Sequence, residues 1–195
     1  PIANVFIQES SEEKMSDRGF SNENKEEIRI FRAEARFLRA LSYFHAMDMF
    51  GNIPFVDETT PIGTNDVPQI LRPDLFNWIE SELLDVEDIL LSPSLVPYGR
   101  ASKAAAQSLL AKMYLNAEVY TGISRWTDCI NYCNKVINDG SFSLDDNYSH
   151  LFMADNHNSP EIIFPVCFDG NFTQTWGGAT FLINAAIGST MDPAD

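Results

Sequence analysis

The segment DGNFTQTWGG, residues 169–178, has the residue types best suited to binding a small molecule. A pyranose ring has an apolar C–H face that stacks on an aromatic side chain, and its hydroxyl groups need amide or carboxylate partners. Trp176 offers the aromatic surface, and the side chains around it are Asp169, Asn171, Phe172 and Gln174. The sequence therefore predicts a carbohydrate-binding loop; the alternative is that Trp176 anchors the loop to the core.

Side chains arranged for catalysis do not stand out in this sequence. It contains no G-x-S-x-G, H-E-x-x-H, P-loop or dinucleotide-binding pattern. Acidic residues are plentiful, but they line predicted helix faces, whereas a glycosidase needs two carboxylates in one cleft. We therefore expect a protein that binds its ligand without a chemical step.

Two groups of oxygen-bearing side chains are candidates for a structural calcium site. They are the run Asp145, Asp146 and Asn147, and the set Asp155, Asn156, Asn158 and Glu161. Neither group follows the EF-hand pattern, so solvated turns are the alternative. We expect no cofactor, with structural calcium left open.

The net charge of the chain indicates which classes of partner are not expected. Of its 195 residues, 28 are acidic and 13 are basic, which gives a net charge of −15. An acidic surface repels phosphate backbones, so a nucleic-acid partner is not expected. No apolar run is long enough to cross a bilayer. The chain has no initiating Met and no signal peptide, so we expect an excerpt of a longer protein.

A long amphipathic helix is predicted from about residue 24 to residue 50. Its apolar residues recur at spacings of three and four, at Ile28, Phe31, Ala35, Leu38 and Leu41, and are widened by Phe37 and Phe44. Gly51 and Pro54 predict its end. The twenty-odd polar residues before it are predicted to form a loop.

Three further helices follow in the predicted order. The second has Asp74 as its N-cap, acids on one face and, on the other, Leu75, Ile79, Leu83, Val86 and Leu90. The third starts near Ser102 and is rich in alanine, which allows close helix packing. The fourth runs from about residue 125 to 139 and ends at Gly140, with one apolar face formed by Trp126, Ile130, Cys133 and Ile137. Residues 161–168, EIIFPVCF, are predicted to form a strand.

The first and third helices resemble each other. Aligning Ala35 with Ala106 also aligns Leu38 with Leu109, Ala40 with Ala111 and Tyr43 with Tyr114. The two helices are therefore offset by 71 residues (106 − 35), which is about twice the 34-residue period of tetratricopeptide repeats. We therefore predict a mainly α fold of tetratricopeptide-like helical hairpins with a loop-rich lobe and short strands. Within one partial domain over 1–195, residues 24–140 would form the scaffold and residues 141–195 the start of the ligand-binding lobe.

Several separated motifs resemble the SusD-like (RagB/SusD) family of Bacteroidetes outer-membrane lipoproteins. The main one is AEARFLRALSYFHAMDMFGNIPFV at residues 33–56. Later blocks agree in order with the family: residues 99–106, 109–115 and 136–140, then Phe142, Leu144, Tyr148, Leu151, Phe152 and residues 161–164. The resemblance covers nearly the whole chain.

This resemblance implies a function in polysaccharide utilisation. Members of the family bind oligosaccharide or polysaccharide at the cell surface and deliver it to a TonB-dependent (SusC-like) outer-membrane transporter. They are exported lipoproteins of the outer membrane, so a lipid anchor would lie outside this segment. Two alternatives stay open: a tetratricopeptide-type scaffold that binds a protein, and an accessory for uptake of a non-sugar nutrient such as a peptide.

Overall fold

A computed structural model describes residues 2–61, 63–153, 155–168 and 173 of the chain. The fold is mainly helical, as predicted, with helices α1 (Ile2–Glu9), α2 (Glu12–Asp17), α3 (Asn22–Phe50), α4 (Arg72–Glu87), α5 (Lys103–Leu115), α6 (Ala117–Thr121) and α7 (Trp126–Asp139). Strands β1 (Ile53–Pro54) and β2 (Gln69–Ile70) pair antiparallel. Two short 3₁₀ helices follow, at Tyr148–Phe152 and Asn156–Asn158. The chain forms two compact units, Pro1–Phe164 and Pro165–Asp195.

Helix α3 is the long helix that the sequence predicts. The hydroxyl of Ser21 caps it by accepting from the Asn24 amide at 3.2 Å, and Gly51 ends it with a φ of 74°. Its buried face lies about one position from the predicted stripe, because Leu38 is 46% exposed. The fully buried apolar residues are Ala33, Phe37, Ala40, Phe44 and Met47.

Helix α4 starts three residues earlier than predicted, with Leu71 instead of Asp74 at the N-cap. Pro73 lies in its first turn, where a missing N–H costs nothing, and Asp74 also lies in that turn instead of capping the helix. At this position its negative charge interacts favourably with the positive end of the helix dipole. The predicted apolar stripe is confirmed, since all five of its members are buried in the core: Leu75, Ile79, Leu83, Val86 and Leu90.

Polar contacts show how the helices run relative to one another. On α3 and α4, Arg36 contacts Glu82, while Tyr43, further along α3, lies 5.3 Å from the ring of Trp78, earlier on α4. The two helices therefore form an antiparallel hairpin. Helix α4 is also antiparallel to α5, because Glu80 binds Tyr114 whereas Glu87, later on α4, binds Gln107, which is earlier on α5. It is parallel to α7, because Glu80 binds Arg125 at the start of α7, whereas Glu87 binds Tyr132 and Lys135 further along that helix. Thus α5 and α7 form the second antiparallel hairpin, as predicted.

Several local predictions are wrong. The first residues form helices α1 and α2 instead of a loop. Residues 161–168 form no strand, although Ile163 and Phe164 pack against the core. The predicted buried face of α7 points outward: Trp126 is 49%, Ile130 60% and Ile137 72% exposed. The neighbouring side of the helix, which carries Cys129 and Tyr132, packs against the core instead.

Within the described residues, no helix has both the length and the apolarity that crossing a bilayer would require.

Candidate functional site

The predicted carbohydrate-binding residues lie outside the described residues. They are Asp169, Asn171, Phe172, Gln174 and Trp176, and their assignment as a binding loop stays a prediction. The described residue in this loop is Thr173, whose hydroxyl donates to the carbonyl of Cys167 at 3.3 Å.

The end of the first unit is fixed on helix α3. The ring of Phe164 meets the buried ring of Phe37 edge to face, with 5.3 Å between the ring centroids. Such a contact adds to the burial energy of both rings. Phe164 lies five positions before Asp169, so the predicted loop begins shortly after this packed residue in the sequence.

Members of both oxygen-rich groups of the sequence line one cavity of about 220 Å³. Asp145 and Asp155 line it, together with His150 and three polar neighbours from the following turn, Asn156, Asn158 and Ser159. His150 Nδ1 lies 3.0 Å from Asp145 Oδ1, and the backbone amide of Asp145 donates to Glu161 at 2.8 Å. The Asn147 backbone amide, followed by His150, holds the pKa of Asp145 below its ordinary value. Among described residues no three metal-binding side chains of the His, Cys, Asp and Glu types form a group.

A second cavity, of about 230 Å³, lies between α1 and the loop after β1. Its polar lining includes Asn4, Gln8, Asp57 and Glu58. The sequence pattern did not predict these residues, because the polar segment before the long helix was predicted to form a loop. The signal available was the spacing of the polar residues Asn4 and Gln8 in IANVFIQE, four positions apart, which places both on one face of a helix.

A network of buried charges underlies this cavity. Glu82 accepts from Arg36 at 2.7 Å and from Arg39 at 2.6 Å, and Arg39 also donates to Glu58 at 2.5 Å and to Asn4 at 2.9 Å. Burial raises the pKa of Glu82, but the hydrogen bonds from the two guanidinium groups lower it more, so the net pKa lies below its ordinary value. The side chain of Arg39 is 4% exposed and its cation is balanced by Glu58 and Glu82.

Comparison with known proteins identifies the helical part of the chain. The model of a SusD-like family, described as starch-binding associating with outer membrane, matches residues 8–115. The starch-binding protein SusD of Bacteroides thetaiotaomicron is 42% identical over 157 residues, which are 78% of this chain and 28% of that relative. The chain therefore spans less than a third of the length of this relative.

Solved structures agree with the sequence match. A laminarin binding SusD-like protein is 27% identical with a TM-score of 0.65, over 83% of this chain and 34% of that one. A SusD superfamily protein from Parabacteroides distasonis is 25% identical with a TM-score of 0.70, over 88% and 37% of the two chains. Because the family model covers more than half of the chain and the helical hairpins superpose on solved members, this chain belongs to the SusD-like family.

Proposed function

We propose that this chain is part of a non-catalytic protein that binds oligosaccharide or polysaccharide at the cell surface. The observation that carries the proposal is the 42% identity with a starch-binding protein across most of this chain. A second relative of known structure binds laminarin, so members with this scaffold bind different glucans. A binding role also agrees with the sequence, which contains none of the catalytic patterns considered above.

The proposal extends to a partner and a location. The protein would pass its glycan to a TonB-dependent, SusC-like transporter, and a lipid anchor outside this segment would hold it on the outer membrane. The family description, starch-binding associating with outer membrane, supports this location. Co-purification of a transporter barrel with the full-length protein from outer-membrane fractions tests the partnership.

The glycan would bind in the loop-rich lobe that begins after the helical scaffold. In this proposal residues 24–140 form the scaffold and residues 141–195 begin the lobe. Trp176 stacks on a sugar ring while Asp169, Asn171 and Gln174 bind hydroxyl groups and Phe172 adds apolar surface. What supports this assignment is the residue chemistry of the loop.

Isothermal calorimetry of the full-length protein against a panel of polysaccharides that includes starch and laminarin tests the function. We expect one glycan to bind, and Trp176→Ala to weaken that binding by about 1–3 kcal/mol, the scale of a lost aromatic contact. Trp126→Ala is the matched control, because Trp126 is a half-exposed tryptophan on α7. Equal losses in both variants would remove Trp176 from the site.

Two other functions would be supported by different outcomes of the same panel. A folded full-length protein that binds no glycan but captures a defined protein partner would be a tetratricopeptide-type scaffold. One that binds free peptides instead would be an accessory for non-sugar nutrient uptake. Release of reducing sugar from a bound glycan would show an enzyme.

A further inference from the structure

We infer that the cavity between α1 and the loop after β1 is a second saccharide subsite, which binds one neutral sugar residue. Its ligand class rests on the proposed function, but its residues are separate from the loop around Trp176. The cavity has a volume of about 230 Å³, which suits a single pyranose better than an oligosaccharide chain. Its lining residues are Asn4, Val5 and Gln8 of α1 and, from the loop, Val56, Asp57, Glu58, Thr60, Pro61, Gly63 and Thr64.

The rim of this cavity is held rigidly by helix α3. The phenol of Tyr43 donates to the carbonyl of Val56 at 2.6 Å and accepts from the amide of Val56 at 3.0 Å. Asn4 donates to the same carbonyl at 3.1 Å and accepts from Arg39 at 2.9 Å. The two walls therefore share hydrogen bonds, and the cavity needs little ordering when a ligand enters.

Two carboxylates on the loop are each held by one oxygen. Oδ1 of Asp57 accepts from the amide and the hydroxyl of Thr59 at 2.9 and 2.7 Å, and Oε2 of Glu58 accepts from Arg39. Within the described part of the chain, Oδ2 of Asp57 and Oε1 of Glu58 have no hydrogen-bond donor. The structure thus orients two free acceptors beside the cavity, and a pair of sugar hydroxyls supplies two donors.

The remaining lining matches the other faces of a sugar. The amide of Gln8 hydrogen-bonds to no described residue, so it is free to donate to and accept from ligand hydroxyls. Val5, Val56 and Pro61 supply apolar surface for the C–H groups. This mixture of few polar groups on an apolar wall is typical of small-molecule sites.

The charge of the cavity selects against anionic sugars. Burial raises the pKa of Asp57, but hydrogen bonds from Thr59 and Thr60 lower it more, so the net pKa lies below its ordinary value and the group is ionised at neutral pH. Two carboxylates repel a uronate. They also fall short of the six to eight oxygen ligands that calcium prefers, which favours a polyol over a cation.

Ligand-observed NMR on the full-length Trp176→Ala protein tests this subsite, because that substitution weakens binding at the proposed loop site. The probes are D-glucose, D-galactose and D-mannose, with D-glucuronate and D-galacturonate as charged counterparts. We expect at least one neutral sugar to bind with a Kd on the order of 1 mM, as small ligands do. We expect no saturation transfer to either uronate.

Variants then locate the bound sugar. Val5→Trp fills the cavity from a side chain that is 43% exposed, so it should weaken binding by about tenfold or more without disturbing the core. Val119→Trp on α6 is the matched control, because Val119 is exposed and outside the cavity. Gln8→Ala, which removes an exposed amide and breaks no hydrogen bond, should weaken binding severalfold.

Each outcome decides the inference. Unchanged sugar binding in Val5→Trp, equal binding of uronates, or no sugar binding in a folded Trp176→Ala protein would overturn it. The last result, found together with polysaccharide binding by the protein with Trp176 intact, would leave the proposed function standing. Loss of all glycan binding in the unsubstituted protein would overturn both.

Discussion

Two helix surfaces of this chain reverse the usual placement of charged and apolar side chains. The ionic seam between α3 and α4 (Arg36, Arg39 and Glu82) is largely buried, with side-chain exposures of 19%, 4% and 12%. The outer face of α7 (Trp126, Ile130, Cys133 and Ile137) is exposed although most of it is apolar. Residue type therefore does not decide which of these surfaces is covered.

Neighbouring helices explain the difference. Arg36 and Arg39 project from α3 toward α4, where Glu82 satisfies both, so the charges tolerate burial as a paired set. Helix α7 is apolar on two sides, and α5 and α4 cover the side that carries Cys129 and Tyr132. A stripe found by spacing shows that a side can be buried; the packing of the next element decides whether it is.

Of the substitutions in these two surfaces, removing the carboxylate of the ionic seam should change the free energy of unfolding most. Glu82→Ala leaves Arg39 buried with one fewer partner, and its Nε already lacks a hydrogen-bond acceptor among the described residues. Breaking a buried pair from one side costs about 3–5 kcal/mol, so we expect the free energy of unfolding to fall by about that amount. Urea denaturation of the protein that carries this chain measures it.

Asp85→Asn is the matched control for that experiment. Asp85 also binds Arg36, at 2.9 Å, but its side chain is 60% exposed and its pairing is screened by solvent. We expect a change of about 0–1 kcal/mol. A comparable loss in both variants would contradict the assignment of the stability to the buried part of the network.

The pH dependence of the ionic seam should be the next effect in size. Because the folded pKa of Glu82 lies below its ordinary value of 4.5, its stabilisation is complete above that pH and is lost as the pH falls through the folded pKa. The stability difference between the wild-type protein and Glu82→Gln should therefore be constant from pH 7 to about 5 and narrow at lower pH. Urea titrations of both proteins at each pH give this difference directly.

A stability difference that widens on acidification would contradict this sign. Glu87, whose pKa is also lowered by Lys135, Gln107 and Tyr132 despite its burial, is present in both proteins. Its contribution therefore cancels in the difference, and what remains reports on Glu82.

The sequence predicted the scaffold well because its signals are local. Gly51 ends α3, Gly140 ends α7 in the left-handed region with a φ of 75°, and the stripe of α4 is fully buried. Each of these depends on a few adjacent residues. The resemblance to the SusD-like family, quoted from the same helical motifs, is confirmed by the family match over residues 8–115.

The failures depend on contacts between distant residues. Helix α1 is held by Arg32, which donates to the carbonyl of Ile7, and by Arg39, which donates to Asn4, and neither contact is visible in the local sequence. Residues 161–168 have a strand-like pattern, but Phe164 packs on α3. For the carbohydrate site, the sequence shows which residue types could bind a sugar. Their geometry depends on residues 169–176, so the binding role of Trp176 stays a prediction.

The outer face of α7 should give the smallest effect in the 195-residue chain. Ile130→Gln and Ile137→Gln remove exposed apolar surface and keep good helix propensity, so we expect each to change the free energy of unfolding by no more than about 0.5 kcal/mol. Tyr132→Phe on the covered side is the control. Its hydroxyl donates to Glu87 at 2.9 Å, and its loss should cost about 1–2 kcal/mol.

The same pair of glutamine variants in the full-length protein sharpens the comparison further. If the outer face of α7 is exposed there as well, the change should stay within about 0.5 kcal/mol, because no contact is lost. If another part of the protein covers it, each buried isoleucine replaced by a polar side chain should cost about 2 kcal/mol or more. A large loss in the 195-residue chain itself would contradict the exposure of this face and restore the burial that the helical spacing predicts.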